Sequence, residues 1–236
     1  MNEEIDKDNL PIHIAITMDG NGRWAKEKGK LRIFGHTNGT KAVRNVVEGA
    51  AEIGIKYLTL YAFSKENWKR PKKEVESLMT LLISTINKEI KTLIKNNIKL
   101  ITIGDTEELP KKCIKELKHA IKETENNSRM TLTLALSYSG KWDIISAVKK
   151  IISSGVSEKE ITYNKFQQYL STKNVPDPEL LIRTGGDYRI SNFLLWQIAY
   201  SELVFTETLW PDFTKKDLYK AILEFQKRER RFGKTK

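Results

Sequence analysis

The chain has 236 residues, of which 39% are hydrophobic and 30% charged, a size that predicts one domain or two small ones with enough apolar side chain for a core. Its longest apolar runs, Leu58 to Phe63 and Phe193 to Trp196, are interrupted well before the roughly 18 residues of a membrane-spanning helix, which excludes an integral membrane protein. With 41 Lys and Arg against 30 Asp and Glu, the net charge of +11 invites a polyanionic partner, whether nucleic acid, an anionic membrane surface or a phosphorylated small molecule, and charge alone does not choose among them.

In chain order, the acidic start Met1-Asn2-Glu3-Glu4-Ile5-Asp6 has none of the basic-then-apolar pattern of a targeting signal. A cytoplasmic protein is therefore expected, with 1–10 as a flexible extension and 232–236 as a flexible tail. Short β-branched or aliphatic runs at 12–18, 57–63, 98–103, 130–136 and 180–183 alternate with longer helical patterns. That order predicts an α/β fold, a mainly parallel sheet flanked by helices. With no repeat, low-complexity tract or linker, the reading is a single domain over 1–236. After Gly39, residues Ala42, Val43, Val46, Val47, Ala50 and Ala51 form one helical stripe that stops at Gly54, a crossover helix with a glycine cap. Residues 73–96 repeat the pattern through Val75, Leu78, Leu82, Ile86, Ile90, Leu93 and Ile94. This stripe either faces a core or lines, over part of its length, an apolar ligand cavity.

Ligands of open α/β sheets bind beyond the carboxyl ends of the strands, so the residues that follow each strand carry the chemistry. After the first strand comes Asp19-Gly20-Asn21-Gly22-Arg23-Trp24-Ala25. Two glycines there allow a sharp turn and a close approach of backbone N–H groups to an anion, Arg23 offers a guanidinium fork for phosphate, and a helix start would add its dipole. Arg32, Gly35 and His36 follow on the same side. The spacing matches neither the dinucleotide-binding nor the P-loop pattern. One cysteine, Cys113, and three histidines leave no cysteine-type zinc site, so a divalent metal would sit on oxygens such as those of Asp19, the preference of magnesium. After the second strand, Ser64-Lys65-Glu66-Asn67-Trp68-Lys69-Arg70-Pro71 crowds hydroxyl, amide, indole and guanidinium into one loop, a composition that also suits stacking on single-stranded nucleic acid. The run Leu180 to Asp187 ends another strand at Gly185-Gly186, with Arg189 and Ser191 beyond. Two arginine-plus-glycine turns at strand ends suggest two phosphorylated groups bound side by side.

These motifs carry a resemblance. His13 to Ala25, Gly35-His36, Tyr61 to Pro71, Ile182 to Gly186, Arg189-Ile190-Ser191-Asn192-Phe193-Leu194-Leu195-Trp196-Gln197, Glu202 and Leu209 to Phe213 are similar, in order and over residues 10–233, to the cis-prenyltransferases, bacterial undecaprenyl diphosphate synthases above all. The resemblance implies repeated addition of isopentenyl diphosphate to an allylic diphosphate, usually farnesyl diphosphate, to give a product of about eleven isoprene units. It implies an allylic diphosphate site at Gly20, Asn21, Gly22, Arg23, Trp24, Arg32, His36 and Arg70. It places isopentenyl diphosphate at Arg183, Arg189, Ile190 and Ser191, and Ser64, Lys65, Glu66, Asn67 and Trp68 around the reacting carbons. Asp19 and Glu202 would hold Mg²⁺, and Asp19 and Asn67 are the catalytic candidates. A neutral amide is a poor base, so Asn67 is expected to orient the acceptor while a diphosphate oxygen takes the proton.

The resemblance also implies a homodimer, for which Phe193 to Trp210 is the interface candidate, and contact with the membrane on product release. An apolar tunnel walled by 130–136 and 73–96 is expected to take the growing chain, with Leu132 at its floor. Ser137-Tyr138-Ser139-Gly140-Lys141 departs from the family's Asn-Tyr-Gly-Gly-Arg and puts that turn in question. A catalytically silent partner subunit and a nucleic-acid module are the competing readings. The intact first motif, Asp19 to Trp24, disfavours the former, and no nucleic-acid partner is expected.

Overall fold

The computed structural model describes residues 4–230. Six strands form one wholly parallel sheet: β1 (His13–Thr17), β2 (Tyr57–Ser64), β3 (Ile98–Ile103), β4 (Met130–Tyr138), β5 (Leu180–Arg183) and β6 (Glu202–Phe205), in the order β3-β4-β2-β1-β5-β6. Five are the strands the sequence predicts. The sixth, β6, is a four-residue edge strand too short to show a period. The central strands β1 and β5 are buried along their whole length, as a sheet covered on both faces requires.

The helices are α1 (Asn21–Glu27), α2 (Arg32–Ile53), α3 (Lys72–Lys95), α4 (Lys111–Glu123), α5 (Gly140–Ser153), α6 (Tyr163–Gln167) and α7 (Lys215–Gln226). One core packs α2, α3, α4 and α7 on one face through residues such as Val46, Ile86, Cys113, Leu117 and Phe225. The other face is covered by Tyr138, Phe193, Leu194 and Ile198. A register shift between Tyr61 and Phe63 switches β2 from one core to the other. Tyr61 stacks on Phe193 at 4.3 Å while Phe63 joins the α-helical core, the local effect of a bulge.

Helix α2 begins seven residues before Gly39. Gly35 and Gly39 lie inside it because α1 crosses there: a Cβ on Gly35 would sit 1.9 Å from the Asn21 carbonyl oxygen, and one on Gly39 would sit 2.8 Å from the Trp210 ring. The helix ends where expected, with Gly54 at φ +104° donating to the Ala50 and Ala51 carbonyls. Residues 5–10, expected as an extension, fold back onto α7. Ile5 is buried, and the Gln226 amide donates to the Asp6 and Asn9 carbonyls at 2.6 and 3.0 Å. The tail at 232–236 lies outside the described residues.

Candidate active site

Past the end of β1 the chain turns through Asp19 and Gly20 into α1. Gly20 has φ +106°, and a Cβ there would lie 2.9 Å from the Leu209 backbone, so only glycine fits. One Asp19 carboxylate oxygen accepts the Gly20 N–H at 2.7 Å and the other accepts an Arg183 N–H at 2.8 Å. Burial alone would raise the Asp19 pKa; the Arg183 and Gly20 hydrogen bonds outweigh it and hold the carboxyl below its usual range.

Arg183 ends β5 with only 3% of its surface exposed. Its guanidinium donates to Ser191 Oγ at 2.6 Å and to the Arg189 carbonyl, and it lies 3.6 Å from Asp187. Asp187 also pairs with Arg23 at 3.2 Å and Arg189 at 3.1 Å. Gly185 has φ +87°, a conformation strained for any other residue, and a Cβ there would also crowd the Asp19 backbone at 3.1 Å. Two turns 164 residues apart in sequence thus become one cluster of three arginines and two carboxylates. Just beyond, Ser191, Asn192 and Leu194 all have positive φ, backbone strain concentrated beside the cleft.

The loop after β2 closes the other side. Asn67 Oδ1 accepts the Ser64 N–H at 3.2 Å in a reciprocal cap, which leaves the amide N–H groups of Asn67 as its hydrogen-bonding atoms toward the cleft it lines. Arg70 and Arg32 share Glu74 at 3.2 and 3.3 Å, and a Cβ on Gly22 would crowd the Arg32 guanidinium at 3.2 Å. Burial, with Arg70 and Arg32 nearby, lowers the His36 pKa to about 4 and keeps the imidazole neutral. Its Nε2 is buried without a partner beside those two arginines.

Met18, Tyr61, Asn67 and Arg70 line both this charged cleft and an apolar cavity behind it. The cavity, of about 240 Å³, lies between α2, α3 and the sheet, and reaches Leu93, Leu100 and Leu132. An arginine-lined entrance on an apolar interior is the shape for a ligand with an anionic head and a long hydrocarbon tail.

The family model described as "Putative undecaprenyl diphosphate synthase" matches residues 17–233. The chain belongs to this prenyltransferase family. An isoprenyl transferase of Chlorobaculum tepidum is 57% identical over 96% of the chain and 87% of its own length. A ditrans,polycis-undecaprenyl-diphosphate synthase of Pasteurella multocida, named as specific for (2E,6E)-farnesyl diphosphate, is 53% identical over 98% of each chain. Among solved structures, lavandulyl diphosphate synthase from Lavandula x intermedia, in complex with dimethylallyl diphosphate, superposes with TM-score 0.92 at 34% identity, covering 95% of this chain and 99% of its own. A probable undecaprenyl diphosphate synthase from Campylobacter jejuni gives 0.82 at 35%, covering 96% and 100%.

Within this prenyltransferase several expected site residues stand elsewhere. Glu202 does not meet Asp19. It opens β6, in register with Leu180 at the amino edge of the sheet, and pairs with Arg228 at 2.9 Å, whereas Asp19 lies beyond the carboxyl edge. Lys65 turns away from the cleft to Asp105 and Glu108, both at 2.8 Å. The Trp68 indole packs edge-on to Phe63 and donates to Ser137 Oγ at 2.8 Å, so it braces the loop from behind. Trp24 stacks on Phe34 at 5.7 Å under Lys28, and Ile190 packs into the second core. In the segment 193–210, Phe193, Leu194, Val204 and Trp210 are this chain's own core, not a free face.

The Ser137–Lys141 departure is accommodated. Ser139 has extended backbone, φ −152°, and caps α5 by accepting the Trp142 N–H at 3.2 Å. Gly140 cannot vary, since a Cβ would lie 2.6 Å from Leu195 Cγ. Ser137, at φ +46°, bonds Glu108 and Trp68. Sequence reading missed Asp187, Glu74 and Asn192, the last donating to Glu66 at 2.7 Å. Asp187 was within reach, as the carboxylate that follows the second glycine turn.

Proposed function

We propose that the chain is a cis-prenyltransferase that elongates farnesyl diphosphate with isopentenyl diphosphate to undecaprenyl diphosphate. The carrying observation is the junction of cleft and cavity at Met18, Tyr61, Asn67 and Arg70. The Pasteurella multocida relative's name supplies the substrate and product. Arg23, Arg32 and Arg70, with neutral His36, bind the allylic diphosphate, and Arg183, Arg189 and Ser191 bind isopentenyl diphosphate. The reaction breaks the allylic C–O bond, whose electron pair leaves on diphosphate. Fixed guanidinium groups stabilise that growing charge more than the ground state, because they need not reorient during the step. The terminal double bond of isopentenyl diphosphate forms the new C–C bond, and its C2 proton departs as the new double bond closes. Asn67 offers N–H donors here, so it orients a diphosphate and a diphosphate oxygen takes the proton.

The donor set fits magnesium with substrate participation. Among the described residues no three His, Cys, Asp or Glu converge, but Asp19 and neighbouring Asp187 are hard oxygen donors at the cleft, and magnesium commonly binds one or two carboxylates plus phosphate. Bound at Asp19 it would neutralise charge on the departing diphosphate.

A homodimer would cover the exposed α5 stripe Ile145, Val148 and Ile152. No described helix is long and apolar enough to cross a membrane, and we place the enzyme in the cytoplasm with transient membrane contact at product release. The test is incorporation of labelled isopentenyl diphosphate into polyprenyl product with farnesyl diphosphate, with and without Mg²⁺. Product that requires both supports the reading; no incorporation by the folded protein overturns it.

A further inference from the structure

The sheet supplies one side of the apolar cavity, and the seam between α2 and α3 supplies the other. Two ion pairs cross that seam among the described residues. At the mouth Arg32 meets Glu74 at 3.3 Å. Deeper in, both prongs of Arg44 reach Glu89: Nε donates to Oε2 at 3.0 Å, and the second nitrogen to Oε1. Between the pairs the seam is lined by Thr40, Val43, Leu81, Leu82 and Thr85, none of which hydrogen-bonds across it among the described residues. Arg44 and Glu89 are themselves lining residues of this cavity, on the helix side of its mainly aliphatic interior, with Glu48 beside them. A two-pronged arginine–carboxylate contact has a defined geometry that a lysine cannot copy.

The proposed function, on which this inference rests, redirects Arg32 to the allylic diphosphate and so loosens the mouth pair once substrate is bound. Arg44–Glu89 is then the ion pair that still joins the helices while the chain grows. Glu89 is the more buried partner, with 17% of its side chain exposed against 40% for Arg44, and leaving its carboxylate unpaired beside a hydrocarbon tail is costly, which favours the closed pair as the cavity fills. We propose that Arg44–Glu89 is a latch on the side of the cavity: closed, it confines the growing prenyl chain and helps to set product length; open, it gives the chain a lateral way out through the α2–α3 seam.

The test compares wild type, Glu89→Gln, Arg44→Lys, Arg44→Ala and the swap Arg44→Glu with Glu89→Arg. Each receives farnesyl diphosphate and labelled isopentenyl diphosphate, dephosphorylated products are separated by chain length, and thermal melting reports folding. Glu89→Gln and Arg44→Ala should shift the main product to a longer polyprenol, Arg44→Lys should shift it part of the way, and the swap should return it toward the wild-type length. Glu89→Gln and Arg44→Lys preserve size and decide the matter if Arg44→Ala does not fold. An unchanged or shortened distribution from folded, active Glu89→Gln overturns the latch, as does a folded swap variant that fails to restore length. An inactive wild type would overturn the prenyltransferase reading instead.

Discussion

Leu132→Ala probes where the cavity ends. Leu132 is 4% exposed, stands in register with Leu100 and lines the cavity. It is the third residue of β4, so Leu136 lies about 13 Å nearer the cleft at roughly 3.3 Å per residue. Loss of the isopropyl group should cost about 2 kcal/mol, the low end of the range for buried leucine, because one side of Leu132 already faces open space. Burial of each five-carbon isoprene unit is worth about 4 kcal/mol at ~0.8 kcal/mol per carbon. Elongation therefore remains favourable while room lasts, and steric contact is what stops it. With Ala the main product should lengthen while the fold survives. Reversed-phase separation of dephosphorylated products, alongside a denaturant melt, gives both numbers. A folded, active variant with the wild-type length distribution would place the floor elsewhere and refute the reasoning.

Arg183→Ala should weaken isopentenyl diphosphate by about 1.5–3 kcal/mol and also lower kcat, because Arg183 holds Asp19 and Ser191 as well as facing the cleft; Arg189→Ala, an exposed arginine, should act mainly on KM. Steady-state kinetics with isopentenyl diphosphate varied would separate the two, and identical kcat and KM effects would contradict the assignment. Asp19→Asn should reduce turnover at least about 10²-fold and blunt the response to added Mg²⁺, with a lowered but still cooperative melt because buried Arg183 loses its carboxylate partner; wild-type Mg²⁺ titration in the variant would remove Asp19 from the metal site. His13 donates through Nδ1 to the Pro176 carbonyl at 2.6 Å and accepts from Thr59 at 2.7 Å; burial lowers its pKa from 6.5 to about 4. Since the unfolded state binds the proton first, His13 should withdraw up to about 3 kcal/mol of stability as pH falls from 6.5 to 4, and nothing above 6.5. Urea melts across that window that show constant stability would refute this.

Much of the architecture was legible in the chain. Five strands declared themselves by β-branched or aliphatic runs, Gly54 as a helix stop by its unique tolerance of positive φ, and the Asp19 and Gly185 turns by short-range patterns of glycine, acid and arginine. These are local properties, set within one or two turns of backbone. What needed the tertiary structure were relations across the sheet. The helical stripe was legible only after Gly39, yet Gly35 and Gly39 stand inside α2, where α1 and Trp210 approach too closely for a Cβ. Nothing local told that Lys65 would prefer Asp105 and Glu108 to the cleft, or that Asp187 would join Asp19 through Arg183. Glu202 stands in a stretch that resembles the family's, but strand register carried it to the opposite edge from Asp19, as the position of a side chain along a parallel sheet depends on how whole strands pair and not on its neighbours in sequence.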